Sequence, residues 1–349
     1  MRFLGRTVKI VLGLLVIVLL VFFLGPKVAP PNLDKSLPEV TSNLKELEQE
    51  LLRRENAVPN IRLDNEARII WADSVPQKTD YSIVYLHGWS ASQEEGDPIH
   101  WETAKRFGCN LYLPRLAGHG LKEKEPMLDI TADALIQSAK EAIAVGKRLG
   151  DKVILMATST GGTLALHLAG DDPDIAALLL YSPNVEIYDP NAKLLSGHWG
   201  LQLAKAVKGS AYHEFDTEDP LKNKYWTTKY RLEALTQLQV LVEATMTHKN
   251  FTAVTQPVFL GYFYKNDSIQ DNVVSVPAML TMYDQLGTAT NKKRKVAFPD
   301  AGDHVLASHV TSKDLESVSS ATYQFLEEVL SLSKAPDAIV PEAIPPIPE

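Results

Sequence analysis

Cysteine is nearly missing from the 349-residue chain; Cys109 is the only one. That rules out an intramolecular disulfide and a cysteine-rich metal site, and it leaves the redox compartment unread. An excess of positive charge is missing too. Lys and Arg number 35 against 43 Asp and Glu, a formal charge of −8, which argues against nucleic acid as a partner. No internal repeat is visible, and no residue pattern calls for a metal or an organic cofactor. Long apolar runs are absent with one exception, Ile10 to Leu24, interrupted only by Gly13.

That exception is an address rather than a core element. Arg2, Arg6 and Lys9 precede it and Gly25-Pro26-Lys27 ends it. Signal peptidase needs small residues one and three positions before its cut. Ala29 has Lys27 two positions before it and Gly25 has Phe23, so neither fits. An uncleaved anchor over residues 1–27 is therefore favoured over a removed signal segment. Basic residues on its N-terminal side predict a cytoplasmic N-terminus and a main domain on the extracytoplasmic side. A linker and short helix follow over residues 28–60, with Leu44, Leu47, Leu51 and Leu52 at helical spacing. The tail over residues 334–349 is proline-rich and is expected to be disordered.

Between these ends, residues 61–333 alternate apolar strands with amphipathic helices. Strands are expected at Tyr81–Leu86, Asn110–Leu113, Lys152–Ala157, Ile175–Tyr181, Val258–Tyr264 and Lys295–Phe298. Helices are expected at Thr131–Leu149, with Thr131 as its cap, and at Leu315–Leu330. Such alternation implies a mostly parallel, doubly wound α/β sheet. The rhythm breaks over about residues 185–256, where Trp199, Tyr212, Trp226 and Tyr230 gather; this reads as a cap inserted over the carboxyl ends of the strands.

One stretch organises the rest. Ala157-Thr158-Ser159-Thr160-Gly161-Gly162 joins a buried strand to a helix, and small residues flank the serine at both second neighbours. This is the setting of a nucleophile elbow, which pushes a strained serine out at the top of a sheet. The Thr160 N–H then opens a helix whose dipole favours negative charge. The strand ending at Leu86 runs into His87-Gly88-Trp89, where Gly88 lets the backbone curl and the Trp89 N–H aim inward as a second oxyanion donor. His87 and His119 read as structural hydrogen bonders and His167 as packing. A serine hydroxyl needs a base, and His304 lies in the loop after the last strand. It also needs an acid to orient that base, and the loop after Val258–Tyr264 offers Asp267 and Asp271. Chain order Ser…Asp…His is the order of the α/β-hydrolase fold.

From about Tyr81 to Leu330 the chain resembles the α/β-hydrolases, nearest to the monoacylglycerol lipase and serine aminopeptidase (S33-like) branch. The resemblance rests on His87-Gly88-Trp89, Pro114-Arg-Leu-Ala-Gly118-His119-Gly120, the Ser159 elbow, Asp271-Asn-Val-Val274 and Gly302-Asp-His304. It departs at Ala157, where relatives carry glycine, and at Arg115-Leu-Ala, where they carry a shorter turn. The resemblance implies that Asp271, in an Asp-x-apolar-apolar run, is the acid rather than Asp267. It further implies a triad of Ser159, His304 and Asp271, oxyanion donors at Trp89 and Thr160, and no metal or cofactor. The expected activity is hydrolysis of a small-molecule carboxylic ester, lipid-like or of short-to-medium acyl length. An amide or peptide hydrolase with the same triad, and a non-catalytic binding protein on the same fold, are the alternatives.

Overall fold

Runs that are apolar at every position become the strands buried on both faces, because helices cover both sides of a parallel sheet. The computed structural model describes residues 2–170 and 172–336. After a first helix α1 (Arg2–Phe23), α2 (Leu44–Ala57) leads into β1 (Arg68–Ile70) and β2 (Thr79–Leu86). Then come α3 (Ile99–Phe107), β3 (Asn110–Leu113), α4 (Ala132–Leu149), β4 (Gly150–Thr158), α5 (Thr160–Ala169) and β5 (Ile175–Tyr181). The inserted region holds α6 (Gly200–Lys208), a hairpin of β6 (Tyr212–Glu214) and β7 (Lys229–Arg231) enclosing α7 (Pro220–Tyr225), then α8 (Leu232–Thr245) and α9 (His248–Ala253). The sheet resumes with β8 (Val258–Tyr262), a small hairpin of β9 (Tyr264–Asn266) and β10 (Ile269–Gln270), α10 (Val276–Gln285), β11 (Lys293–Ala297) and α11 (Leu315–Val329).

The seven main strands lie in the order β1-β3-β2-β4-β5-β8-β11. Only β1 is antiparallel, so the loops after the other six open along one edge. From Val153 to Thr158 β4 is buried without a break, and two apolar clusters pack on the two faces of the sheet. The α4 cap is formed as expected: Thr131 Oγ1 accepts from the Ala134 N–H at 3.1 Å.

The helix expected in the N-terminal linker region is also present, and it is bolted to the domain. Asn43 caps α2, and Glu55 near its end takes a two-pronged bond from Arg115, with both N···O distances 2.9 Å. The Ala67 N–H donates to the same carboxylate at 2.9 Å. Arg115, the departure from the family turn, thus ties α2 to the loop after β3.

The membrane-spanning anchor finds no support. Among the described residues no helix is long and apolar enough to cross a membrane. The continuous apolar part of α1 is about 22 Å long at a helical rise, against a hydrocarbon core of about 30 Å. From Val8 to Leu24 its apolar side chains are exposed. Its far end rests on the cap: the Trp199 N–H donates to Pro26 O at 2.8 Å and His198 Nδ1 donates to Gly25 O at 2.9 Å. Trp199 Nε1 reaches Val21 O and Phe22 O at 3.2 Å. Most of the proline-rich tail, from residue 337 onward, lies outside the described residues.

Candidate active site

The turn from β4 to α5 has the shape expected of an elbow. Ser159 has φ 51° and ψ −118°, a sparsely populated conformation for a residue with a Cβ. Four backbone bonds hold it there. Its N–H donates to Tyr181 O at 3.0 Å, and its carbonyl accepts from Gly162, Thr163 and Asn184 at 2.9, 3.2 and 2.9 Å. A Cβ on Gly161 would come within 1.9 Å of Leu86 O, so no side chain fits. Ala157 is fully buried in the apolar cluster under α4 and α5, so a methyl is accommodated where relatives have glycine.

The loops after β8 and β11 bring His304 and Asp271 together. His304 Nδ1 donates to Asp271 Oδ2 at 2.6 Å. Asp271 is completely buried, and its other oxygen accepts from the Val273 and Val274 N–H groups at 2.9 and 3.0 Å. Burial alone would raise this carboxyl; the His304 charge and these bonds outweigh it and hold it below the usual range. Burial alone would likewise lower the imidazole; the Asp271 carboxylate overrides it and lifts His304 above its ordinary value, with Glu95 and Asp303 adding to the pull. With Nδ1 bonded to the carboxylate, Nε2 is the free acceptor, and it is buried without a partner. Asp267 is elsewhere: it sits on the turn of the β9–β10 hairpin and accepts from the Tyr264 hydroxyl at 2.7 Å.

His87, His119 and His167 take the supporting places expected of them. His87 Nε2 accepts from the Leu116 N–H at 3.1 Å. His119 packs edge-on against the Trp89 ring, centroids 5.5 Å apart. His167 Nδ1 lies 3.2 Å from Asn250 Nδ2. Burial pushes their pKa values down to about 3, 4 and 4 respectively, which keeps all three neutral.

A family model described as "Alpha/beta hydrolase family" matches residues 83–314, which encloses every one of these positions. The chain belongs to that family. Among curated proteins, the thermostable monoacylglycerol lipase of Bacillus sp. (strain H-257) is 30% identical over 105 residues, 30% of this chain and 41% of the relative. The match therefore spans less than half of that relative's length. Among solved structures, one from a study of LipS and LipT, two metagenome-derived lipolytic enzymes, aligns with a TM-score of 0.59 at 16% identity, covering 77% of this chain and 98% of the other. The Paleococcus ferrophilus monoacylglycerol lipase aligns with a TM-score of 0.53 at 14% identity, covering 74% and 97%. At such identities the likeness concerns the fold.

This α/β-hydrolase carries its cap over the open edge of the sheet, and the two enclose a cavity of about 590 Å³. Ser159, Thr160, Trp89 and His304 line its floor, while Phe215, Trp226, Tyr230, Leu235 and Leu238 of the cap line its roof. Two floor residues carried no signal in the sequence. Asn184 is buried and its side-chain oxygen has no partner. Glu95 sits in a Gln-Glu-Glu run and is nevertheless only 2% exposed. Outside the cavity, Glu94, Asp97 and His309 are close enough to hold a metal ion. The two ring nitrogens of His309 face different carboxylates, however, Nδ1 toward Asp97 at 3.3 Å and Nε2 toward Glu94 at 3.7 Å. The ring is thus shared between two carboxylates rather than aimed with them at one point.

Proposed function

We propose that the protein is a serine hydrolase that cleaves carboxylic esters. The observation that supports this most is the buried His304–Asp271 pair at 2.6 Å, whose free Nε2 belongs to the same cavity floor as the strained Ser159. In this reading Ser159 Oγ attacks the ester carbonyl and passes its proton to His304 Nε2. Asp271 fixes the reactive tautomer and stabilises the imidazolium. The Trp89 and Thr160 N–H groups receive the oxyanion, at about 3 kcal/mol per donor. The alcohol leaves with the proton from His304, and water, deprotonated by the same ring, releases the acid from the acyl-enzyme. The aromatic and leucine roof favours an acyl chain over a charged peptide, in keeping with the lipase and lipolytic names of the relatives.

Labelling of the full chain with a fluorophosphonate probe tests the assignment. Labelling is expected in the wild type and is expected to vanish in Ser159→Ala and His304→Ala. Labelling that survives either substitution would sink the triad. The location is a proposal of the same kind. The exposed apolar stretch of α1 is read as attaching the chain to a membrane, with the hydrolase domain on the extracytoplasmic side, because so large an exposed apolar surface marks an interaction site. Flotation with lipid vesicles checks the attachment: the full chain should float, and a chain lacking residues 1–27 should not.

A further inference from the structure

One buried carboxyl beside Ser159 has no part in the steps above. Glu95 lies in the short 3-10 turn Gln93–Gly96 that follows the oxyanion loop. Its Oε2 accepts from the Gly88 N–H, the residue immediately before the Trp89 donor. The same oxygen is 3.4 Å from the Tyr85 hydroxyl, which also donates to Thr158 Oγ1 at 2.9 Å. Carboxylate, Gly88 and serine are in direct succession. A Cβ on Gly88 would stand 2.7 Å from Glu95 Oε1 and 2.9 Å from Ser159 Cβ. Glu95 and His304 line one cavity, and each responds to the other's charge.

We propose that Glu95 is a positioning residue of the hydrolysis, pinning the oxyanion loop through Gly88 and setting a second negative charge against His304. The assignment rests on the serine-hydrolase reading. An ionised carboxylate makes the stronger, charge-assisted bond to an N–H, so the loop is best fixed when Glu95 carries its charge. That charge also favours the imidazolium that forms as Ser159 attacks. Burial pushes the Glu95 carboxyl up to about 7, although the Gly88 bond and His304 pull it partly back. Both effects are therefore lost on acidification through that range. The titratable groups facing Glu95 are Tyr85 from β2 and Asp303 and His304 from the loop after β11. His100 of α3 packs on the Tyr85 ring at 5.0 Å and stays neutral, its pKa lowered by burial to about 3.

The test is the second-order rate of fluorophosphonate labelling of the full chain between pH 5 and 9. The wild-type rate is expected to fall on the acid side with a slope clearly steeper than one proton, up to about one and a half. In Glu95→Gln, which can still accept from Gly88 but cannot ionise, the slope should drop to one. Its midpoint should move down by roughly half to one pH unit, because a negative neighbour of His304 is gone. The rate at pH 8 should fall roughly tenfold. A wild-type limb of one proton overturns the proposal without any variant. So does a Glu95→Gln limb that matches the wild type in slope and midpoint. An unlabelled wild type overturns the serine-hydrolase reading, and this assignment with it.

Discussion

Two carboxylates four residues apart end in different worlds, and the difference is measurable. Asp271 is sealed against His304, and Asp267 is held by Tyr264 on a solvent-facing turn. Asp271→Asn is expected to lower ester turnover by roughly 10³–10⁴-fold by favouring the wrong imidazole tautomer. Asp267→Asn should leave turnover within about twofold of wild type, as an exposed substitution outside the cavity does. Steady-state kinetics on one short-chain ester decides both. Ser159, His304 and Asp271 stand out in the sequence as candidates because each follows a strand in a short recognisable run. Glu95 does not, since nothing local separates a glutamate folded under its own loop from one left in water. Asn184 escaped for the same reason: its place beside Ser159 is set by the pairing of β5 with its neighbours, which a single sequence does not display.

Elements were read well where periodicity and caps agree and poorly where a strand breaks. Thr131 caps α4, and Thr131→Ala is expected to cost about 1 kcal/mol in urea unfolding. The run Val258–Tyr264 reads as one strand, but it splits at Phe263, with β8 in the main sheet and β9 turned into a hairpin. That split delivers Asp271 to His304, because the Asp271 N–H bonds back to Phe263 O at 3.1 Å. Apolar residues on either side of the break hide it from pattern reading. The elbow is less tolerant than its sequence suggests. Gly161→Ala would force a methyl onto the β2 backbone at Leu86, so loss of labelling together with a destabilisation above about 3 kcal/mol is expected. Glu55→Ala leaves the half-buried Arg115 without its carboxylate partner and should cost about 1–3 kcal/mol, seen as a lower urea midpoint.

At the scale of the whole molecule, buried titratable groups set the response to acid. His87, His100, His119 and His167 have folded pKa values near 3, 3, 4 and 4, below their unfolded value. The unfolded chain therefore binds more protons below pH 6.5, and each ring removes about 1.4 kcal/mol per pH unit as pH falls. Glu94 and Glu95 act in the opposite sense. Burial, the main cause for both, lifts them to about 7, so the folded chain binds more protons between pH 7 and 4.5. Over that interval two carboxyls offset only part of four imidazoles; below it the offset ends, and Asp271, held low in the fold, adds to the loss. The melting temperature should fall gently from about pH 6.5 to 5 and steeply below about pH 4.5; a fall with no steepening below pH 4.5 would contradict this balance. The fold class was legible from the alternation of strands and helices, whereas the seating of residues 21–26 on His198 and Trp199 was not, since nothing in either stretch announces the other. That seating bears on how a sample is prepared. Trimming the chain near residue 31 is the obvious route to an easily handled enzyme, yet it strips four backbone acceptors from His198 and Trp199 in the inserted region. Selectivity measured on the trimmed form therefore describes a roof that has lost a tether, and belongs beside the same measurement on the intact chain.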